Sequence, residues 1–353
     1  MKKLTFVILM LFAGYHAWCQ DPHFSQYYAT TSYLSPSLAG SSGEPRMSLN
    51  YRNQWPGIGT VYETMLASYD MYLDDYNSGL GFMVLKDRAG STDLAQTNFS
   101  VQYSYRLQMN SKWQVIPGLQ AAYCQNSIDF SKFEFADALL NDYVSNTSAR
   151  TSELYMNGLQ NKNYFDFGAS AFLYSNDMWL GVTVDHISQP NQSFANQESK
   201  LPMKIVTFGG MNVWKTADRN RGPVRSIDAN FRYMHQGGFD QIDLGAYIYN
   251  TSLDFGVWLR AVPNFSDEIS ARLNRDAIVF ILKYKIDGLQ IGYSYDITIS
   301  NLSSHAYGSH EVSLTYELSN IGLFKKLGKN PVACFPKGSD GRYSTRVRKR
   351  TRF

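Results

Sequence analysis

The sequence predicts an all-β fold, a transmembrane outer-membrane β-barrel of about 14 antiparallel strands. Three observations carry this reading. Apolar and polar residues alternate with a period of two along most of the chain, as strands with two unlike faces require. No run of about 18 apolar residues follows the N-terminal segment, so a lipid-spanning chain must cross with strands, and those must close to satisfy every backbone group. Gaps between candidate strands also sort by length. Short turns mostly follow even-numbered strands and the longest gaps follow odd ones, which gives one tight rim and one rim of long loops.

Taken in order, Met1–Cys19 reads as a secretory signal, with Lys2 and Lys3 before an apolar core, Leu4–Ala13. Ala17 and Cys19 are the small residues before a cut, so the mature chain is expected to begin at Gln20. A lipoprotein anchored on Cys19 is the alternative, and His16 and Trp18 fit it poorly. Residues 20–45, rich in Tyr and Ser, read as an irregular lead-in.

Strands are expected near 46–55, 61–73, 79–85, 95–108, 112–125, 163–175, 178–187, 202–214, 224–235, 241–249, 252–260, 277–285, 288–296 and 310–319. The clearest hairpin spans 163–187. Phe165, Phe167, Ala169, Ala171 and Leu173 alternate with Asp166, Gly168, Ser170 and Phe172, and Ser175-Asn176-Asp177 supply a tight turn. Leu180, Val182 and Val184 then alternate with Gly181, Thr183 and Asp185. A soluble sandwich could use this hairpin equally well; the loop sorting over the whole chain favours the barrel. Arg106, Asp254 and Arg260 share the polar phase of their strands. A lipid-facing Arg at mid-membrane costs about 2–4 kcal/mol, so all three are expected in the lumen, where opposite charges can pair. The longest gaps, Asn126–Lys162, Ser188–Leu201, Ala261–Asp276 and Ile297–Ser309, are expected outside the cell, with both termini periplasmic.

The formal charge of +3 hides an asymmetry. Residues 325–353 hold 10 Lys and Arg against one acidic residue, Asp340, whereas residues 20–324 hold 21 basic and 29 acidic residues. The expected organisation is therefore a signal peptide (1–19), a lead-in (20–45), a barrel (46–324) and a basic periplasmic tail (325–353). The tail residues Arg342, Arg346, Arg348, Lys349, Arg350 and Arg352 read either as a solvated end or as a docking segment for an acidic partner or anionic lipid head groups. Nucleic acid is not an expected partner of an exported chain. Cys124 and Cys334 remain after signal removal; they do not make a disulfide framework, and their pairing is left open.

Several stretches occur in a telling order: Gln20-Asp21-Pro22-His23-Phe24-Ser25-Gln26-Tyr27, Ser35-Pro36-Ser37-Leu38-Ala39-Gly40, Tyr51-Arg52-Asn53-Gln54-Trp55, and Asp87-Arg88-Ala89-Gly90. Ile128-Asp129-Phe130-Ser131-Lys132, His186-Ile187 with Pro190 and Phe194, Gly308-Ser309-His310-Glu311, and Cys334-Phe335-Pro336 follow. Together, from Gln20 to about Pro336, they resemble the PorP/SprF family of type IX secretion system membrane proteins. Ser35 stands where that family has Asn, and Ile187 where it has Leu. The resemblance implies a Bacteroidota outer-membrane barrel without enzymatic activity or cofactor. It would support export and surface anchoring of a secreted adhesin in type IX secretion or gliding motility. Its partners would be that adhesin or its C-terminal domain, other type IX or gliding proteins, and outer-membrane lipid. Alternatives are a core component linked to the periplasmic ring and peptidoglycan, or a small-solute channel.

The residues themselves offer no convincing catalytic set. His186 and His310 each stand at a strand end beside an acid, Asp185 and Glu311, which an outer-membrane lipase or protease could use. A hydrogen-bond network in the lumen or at the rim is the plainer reading. The six His show no metal-ligand spacing, and no phosphate-binding glycine loop is present.

Overall fold

The structure, a computed structural model, describes residues 20–90, 94–128, 161–194, 198–216, 225–250, 252–264, 272–286, 288–299 and 307–318. The strands are β1 (Arg46–Gln54), β2 (Val61–Leu73), β3 (Ser78–Gly90), β4 (Leu94–Tyr105), β5 (Gln114–Ser127), β6 (Asn161–Tyr174) and β7 (Met178–Asp185). They continue with β8 (Lys204–Lys215), β9 (Ser226–Gln236), β10 (Phe239–Tyr249), β11 (Leu253–Asn264), β12 (Arg272–Ile286), β13 (Leu289–Thr298) and β14 (Ser309–Glu317). A two-residue ladder at Leu107–Gln108 continues β4 past Arg106. Each strand pairs antiparallel with its neighbours in sequence, and β1 pairs with both β2 and β14, from Arg46↔Glu317 to Gln54↔Ser309. The sheet is thus a closed 14-strand barrel. No helix among the described residues is long and apolar enough to cross a membrane.

The two phases of each strand face opposite environments. In β6, Phe165 and Phe167 point outward at 67% and 50% exposure, while Asp166 and Phe172 are buried inside. Met47, Leu49, Val101, Leu244, Leu282 and Val312 continue the outward apolar face. Asp254 and Arg260 are buried in the lumen, as their phase predicts, although each pairs with a different partner, Lys285 and Asp243 respectively. Arg106 sits half-buried where β4 breaks, its guanidinium 4.2 Å over the Tyr72 ring.

Some boundaries differ from the expected ones. β3 runs to Gly90, β11 to Asn264, and β12 starts at Arg272. Hydropathy does not alternate along these ends, while the backbone ladder continues, from Ala261↔Arg275 to Asn264↔Arg272 in β11 and β12. The gap after β3 therefore shrinks to three residues and that after β11 to seven, which weakens the sorting of loop lengths. β7 stops at Asp185, two residues early, because His186 turns into the left-handed region at φ 58°.

The largest departure is at the front of the chain. Residues 20–45 are irregular, as expected, but they run through the lumen. A short helix, α1 (Thr31–Leu34), and a 3-10 turn, Pro36–Leu38, lie inside the barrel. Tyr27, Leu34 and Leu38 pack there against Phe172, Trp179, Phe208, Tyr247 and Trp258 from the wall. The wall makes room with glycine. A Cβ at Gly79 would lie 2.0 Å from the Ala39 carbonyl oxygen, and one at Gly118 would lie 2.3 Å from the Ser37 nitrogen. The small residues of Ser35–Gly40 are the matching half of that close approach.

The threading relates the segment to both rims of the barrel. β1 begins and β14 ends at the short-turn rim, as expected. Asp21, however, contacts Gln236, His186 and Lys204, which stand at the ends of β9, β7 and β8 on the long-loop rim. The segment thus crosses the lumen from rim to rim before the first strand begins.

Candidate functional site

The lumen segment is held at three levels. At mid-lumen, Arg52 on β1 and Arg260 on β11 meet the carboxylates of Asp296 and Glu311. Arg52 Nη2 donates to Asp296 Oδ2 at 2.9 Å and its Nη1 to Glu311 Oε2 at 3.2 Å. Arg260 Nη1 donates to the same Asp296 oxygen at 2.9 Å and its Nε to Asp243 Oδ1 at 3.1 Å. Arg232 Nε donates to Asp243 Oδ2 at 2.9 Å. Three wall guanidiniums thus meet three wall carboxylates, so the ionic centre is neutral before the segment is counted.

The segment adds neutral groups to this centre. The Ser25 and Gln26 backbone N–H groups donate to Glu311 at 2.7 and 3.1 Å. Ser25 Oγ donates to Asp296 at 2.7 Å, and Gln26 Nε2 donates to the Glu311 carbonyl at 2.9 Å. Tyr27 Oη donates to Asp243 at 2.8 Å. His23 lies between the guanidiniums, its Nε2 3.3 Å from Arg52 Nη2 and 3.1 Å from Arg260 Nη1. Burial, then Arg260 and Arg52, hold its pKa well below the usual histidine value. The imidazole is therefore neutral, and its Nε2 accepts, since guanidinium can only donate.

At the long-loop rim, Asp21 is bound by His186 Nε2 at 2.8 Å and Lys204 Nζ at 2.6 Å, and His186 Nδ1 contacts Asp166 at 2.8 Å. Burial alone would lower the His186 pKa, but Asp21 and Asp166 outweigh it and raise it to about 10. Burial likewise opposes ionisation of Asp21, yet His186 and Lys204 hold its carboxyl well below the usual range. The latch is an imidazolium and an ammonium clasping a carboxylate. At the short-turn rim, Asp70 accepts from Arg46 Nε at 2.9 Å and from the Gly40 N–H at 2.8 Å, while Arg46 Nη2 reaches Thr31 Oγ1 at 2.7 Å. Buried ion pairs add little net stability, but removing one partner costs about 3–5 kcal/mol. Such a network fixes one position of the segment.

The motif residues distribute as follows. Arg52 and Glu311 meet directly, and His186 forms the rim latch. Tyr51 faces outward and donates to Glu63 at 3.0 Å. Trp55, at φ 54°, ends the strand that Gln54 closes, and its N–H donates to the Gly308 carbonyl at 2.9 Å. Gly308, at φ 66°, leaves no room for a Cβ, which would lie 2.3 Å from the Asp296 oxygen. Asp87 accepts from Thr64 Oγ1 at 2.6 Å inside the barrel, and Gly90 ends β3 at φ 82°. The Pro190 carbonyl accepts from the Leu201 N–H at 3.0 Å, folding the loop after β7 back on itself. His310 stands on the outer face, bonded to Tyr293 Oη at 2.8 Å and apart from His186. Both ring nitrogens of His186 are taken by carboxylates, so neither faces a serine hydroxyl.

The lumen role of Asp21, His23, Ser25, Gln26 and Tyr27 was not read from their sequence. The small-residue run 35–40 and the in-strand glycines were the available signal. No group of metal-ligating side chains occurs among the described residues. Cys124 is buried, while Cys334 and the tail residues Arg342, Arg346, Arg348, Lys349, Arg350 and Arg352 lie outside the described residues.

Comparison with known proteins bears on this arrangement. The family model described as "Type IX secretion system membrane protein PorP/SprF" matches residues 18–316. The comparison with curated proteins returned no match. Among solved structures, the chain is similar to the Acinetobacter baumannii outer membrane protein Omp33 at 7% identity and TM-score 0.42, covering 79% of this chain and 99% of that one. It is similar to the P. putida toluene transporter TodX at 11% and 0.42, covering 80% and 92%. For a KdgM porin in complex with disordered oligogalacturonate the values are 11% and 0.36, covering 77% and 98%.

Proposed function

The chain belongs to the PorP/SprF family of type IX secretion system membrane proteins, and from that premise we propose that it is a non-enzymatic outer-membrane scaffold supporting export and surface anchoring of a secreted adhesin. One observation carries the choice. The lumen is occupied from rim to rim by residues 20–44, bonded to the wall at three levels. A barrel filled by its own chain works through its rims and outer wall, which argues against the small-solute channel. The long-loop rim then faces the cell exterior and meets the adhesin. The basic tail after β14 lies in the periplasm, available to other secretion components.

The test is affinity isolation of the tagged protein from native outer membranes, with mass spectrometry. Recovery of a very large secreted surface protein is the expected result. Recovery of periplasmic ring proteins and a peptidoglycan-binding protein instead would reassign the chain to the core machine. Recovery of neither refutes the reading. In planar bilayers the purified barrel should conduct little, and deletion of residues 21–44 should raise its conductance.

A further inference from the structure

The barrel wall has a step. β5 and β6 pair over their whole length, Gln114↔Tyr174 to Ser127↔Asn161. On its other side β6 pairs with β7 only from Ala169↔Val184 to Tyr174↔Trp179. The last bond on that side is from the Ile187 N–H to the Phe167 carbonyl at 3.0 Å, after which the chain leaves in the loop begun by His186. β8 starts only at Lys204 and pairs with Asp185, and β9 ends at the same level. Residues Asn161–Asp166 therefore rise above the β7–β9 rim, with no ladder partner on that side among the described residues.

The free bond row can be assigned. An extended residue points its N–H and C=O to the same side, and sides alternate along the strand. Phe167 points its carbonyl away from β5, so Phe165, Asn163 and Asn161 do likewise. They offer three N–H and three C=O groups over about 13 Å. Natural edges are blunted by Pro, charge or bulges; this one reads Asn-Lys-Asn-Tyr-Phe-Asp, with no Pro and with its charges confined to Lys162 and the inward Asp166. Phe165 is 67% exposed on its outer side, an apolar neighbour position left uncovered. On the inner side lies a small polar cavity of about 30 Å³, lined by Asn98, Gln120, Asp166, His186 and Lys204 among others. The buried acceptors Asn98 Oδ1 and Asp166 Oδ1 have no partner there among the described residues.

We propose that residues 161–166 are a β-augmentation site, which takes an extended strand of the secreted partner as an added neighbour of β6. The inferred strand carries apolar side chains outward against Phe165 and Phe167. Inward it carries a hydrogen-bond donor, which satisfies Asp166. The partner's identity as a secreted protein rests on the adhesin reading above; the edge itself rests on the pairing register.

The test uses the full chain in its native membrane. A photo-crosslinking residue replaces Asn163, and separately Asn163→Pro or Phe165→Pro removes one edge donor while sparing the ladder to β5. Heat-modifiable mobility checks that each variant forms the barrel. The expected result is an adduct between position 163 and an extended segment of the secreted protein, with about tenfold less of that protein retained by both Pro variants. Adducts only to residues 129–160 of the same chain or to a second copy, or undiminished retention by folded Pro variants, overturn the edge proposal while leaving the scaffold reading intact. If the unaltered barrel retains no secreted protein, the adhesin reading falls and this proposal with it.

Discussion

Glu311→Ala should unseat the lumen segment while leaving the barrel formed. Glu311 is fully buried and accepts from the Ser25 and Gln26 N–H groups, from Asn50 Nδ2 at 2.9 Å and from Arg52 Nη1. Its removal strands two backbone donors of the segment and leaves the Arg52 guanidinium with Asp296 as its one carboxylate, beside Ser25 Oγ and His23. Breaking a buried pair in this way costs about 3–5 kcal/mol. Each 1.4 kcal/mol is about a factor of ten, so the segment should open about 100- to 1,000-fold more often, or more. The strands keep their own ladders, so most of the cost falls on segment seating. Hydrogen exchange of peptides covering residues 21–44, against peptides from β5 and β12, reads this directly. Exchange should accelerate by two to three orders of magnitude in the segment and little in the strands, and planar bilayers should show intermittent conductance. Unchanged exchange across 21–44 in a folded barrel would refute the reasoning, because the carboxylate would then not be what holds the segment.

Other outcomes follow from the same geometry. Gly79→Ala places a Cβ 2.0 Å from the Ala39 oxygen, an overpacking of about 1–3 kcal/mol, so it should speed exchange at residues 36–41 while the barrel still shows heat-modifiable mobility. The His186 latch should depend on pH in a stated direction. A histidine pKa raised on folding to about 10, from about 6.5 when unfolded, contributes fully below about pH 6.5 and is lost as pH rises through about 10. Exchange around Asp21 should therefore speed up above pH 9, and His186→Gln should remove that dependence. Asp21 runs the other way. Its depressed pKa makes the latch fade in strong acid, as pH falls through its lowered value, so a latch that strengthened on acidification would refute the assignment. Arg46→Ala should leave Asp70 with the Gly40 N–H but no cation, and Thr31 Oγ1 without its guanidinium donor, at the other rim, and exchange there should rise more than at residues 21–26.

Much of the barrel is written in local pattern. A strand between lipid and lumen must alternate, so Phe165 and Asp166, or Leu259 and Arg260, announce their sides without knowledge of their neighbours. The ends of β3, β11 and β12 were not legible that way, because there the residues do not alternate in hydropathy while the backbone ladder persists. The end of β7 is set by one left-handed residue, His186, which hydropathy does not mark. The lumen segment was illegible for another reason. Ser25 and Gln26 meet a carboxylate 286 and 285 residues away, and nothing in a stretch of Ser, Gln and Tyr distinguishes a solvated leader from a chain threaded among buried charges. The motif Arg52 and the motif Glu311 were visible as separate words; their meeting required the closed seam.

That seam has a consequence for how the molecule is made. Glu311 lies on the last strand, one residue from His310, which sits opposite Asn53 of the first. The residues it receives, Ser25 and Gln26, are among the earliest in the barrel-bearing chain. If the closing strand joined the first with a slip of one residue, every side chain on it would change face. Glu311 would then meet lipid, and an apolar neighbour would meet Arg52. A segment made before the first strand thus proofreads the strand that closes the ring, and only a correctly registered ring can hold it.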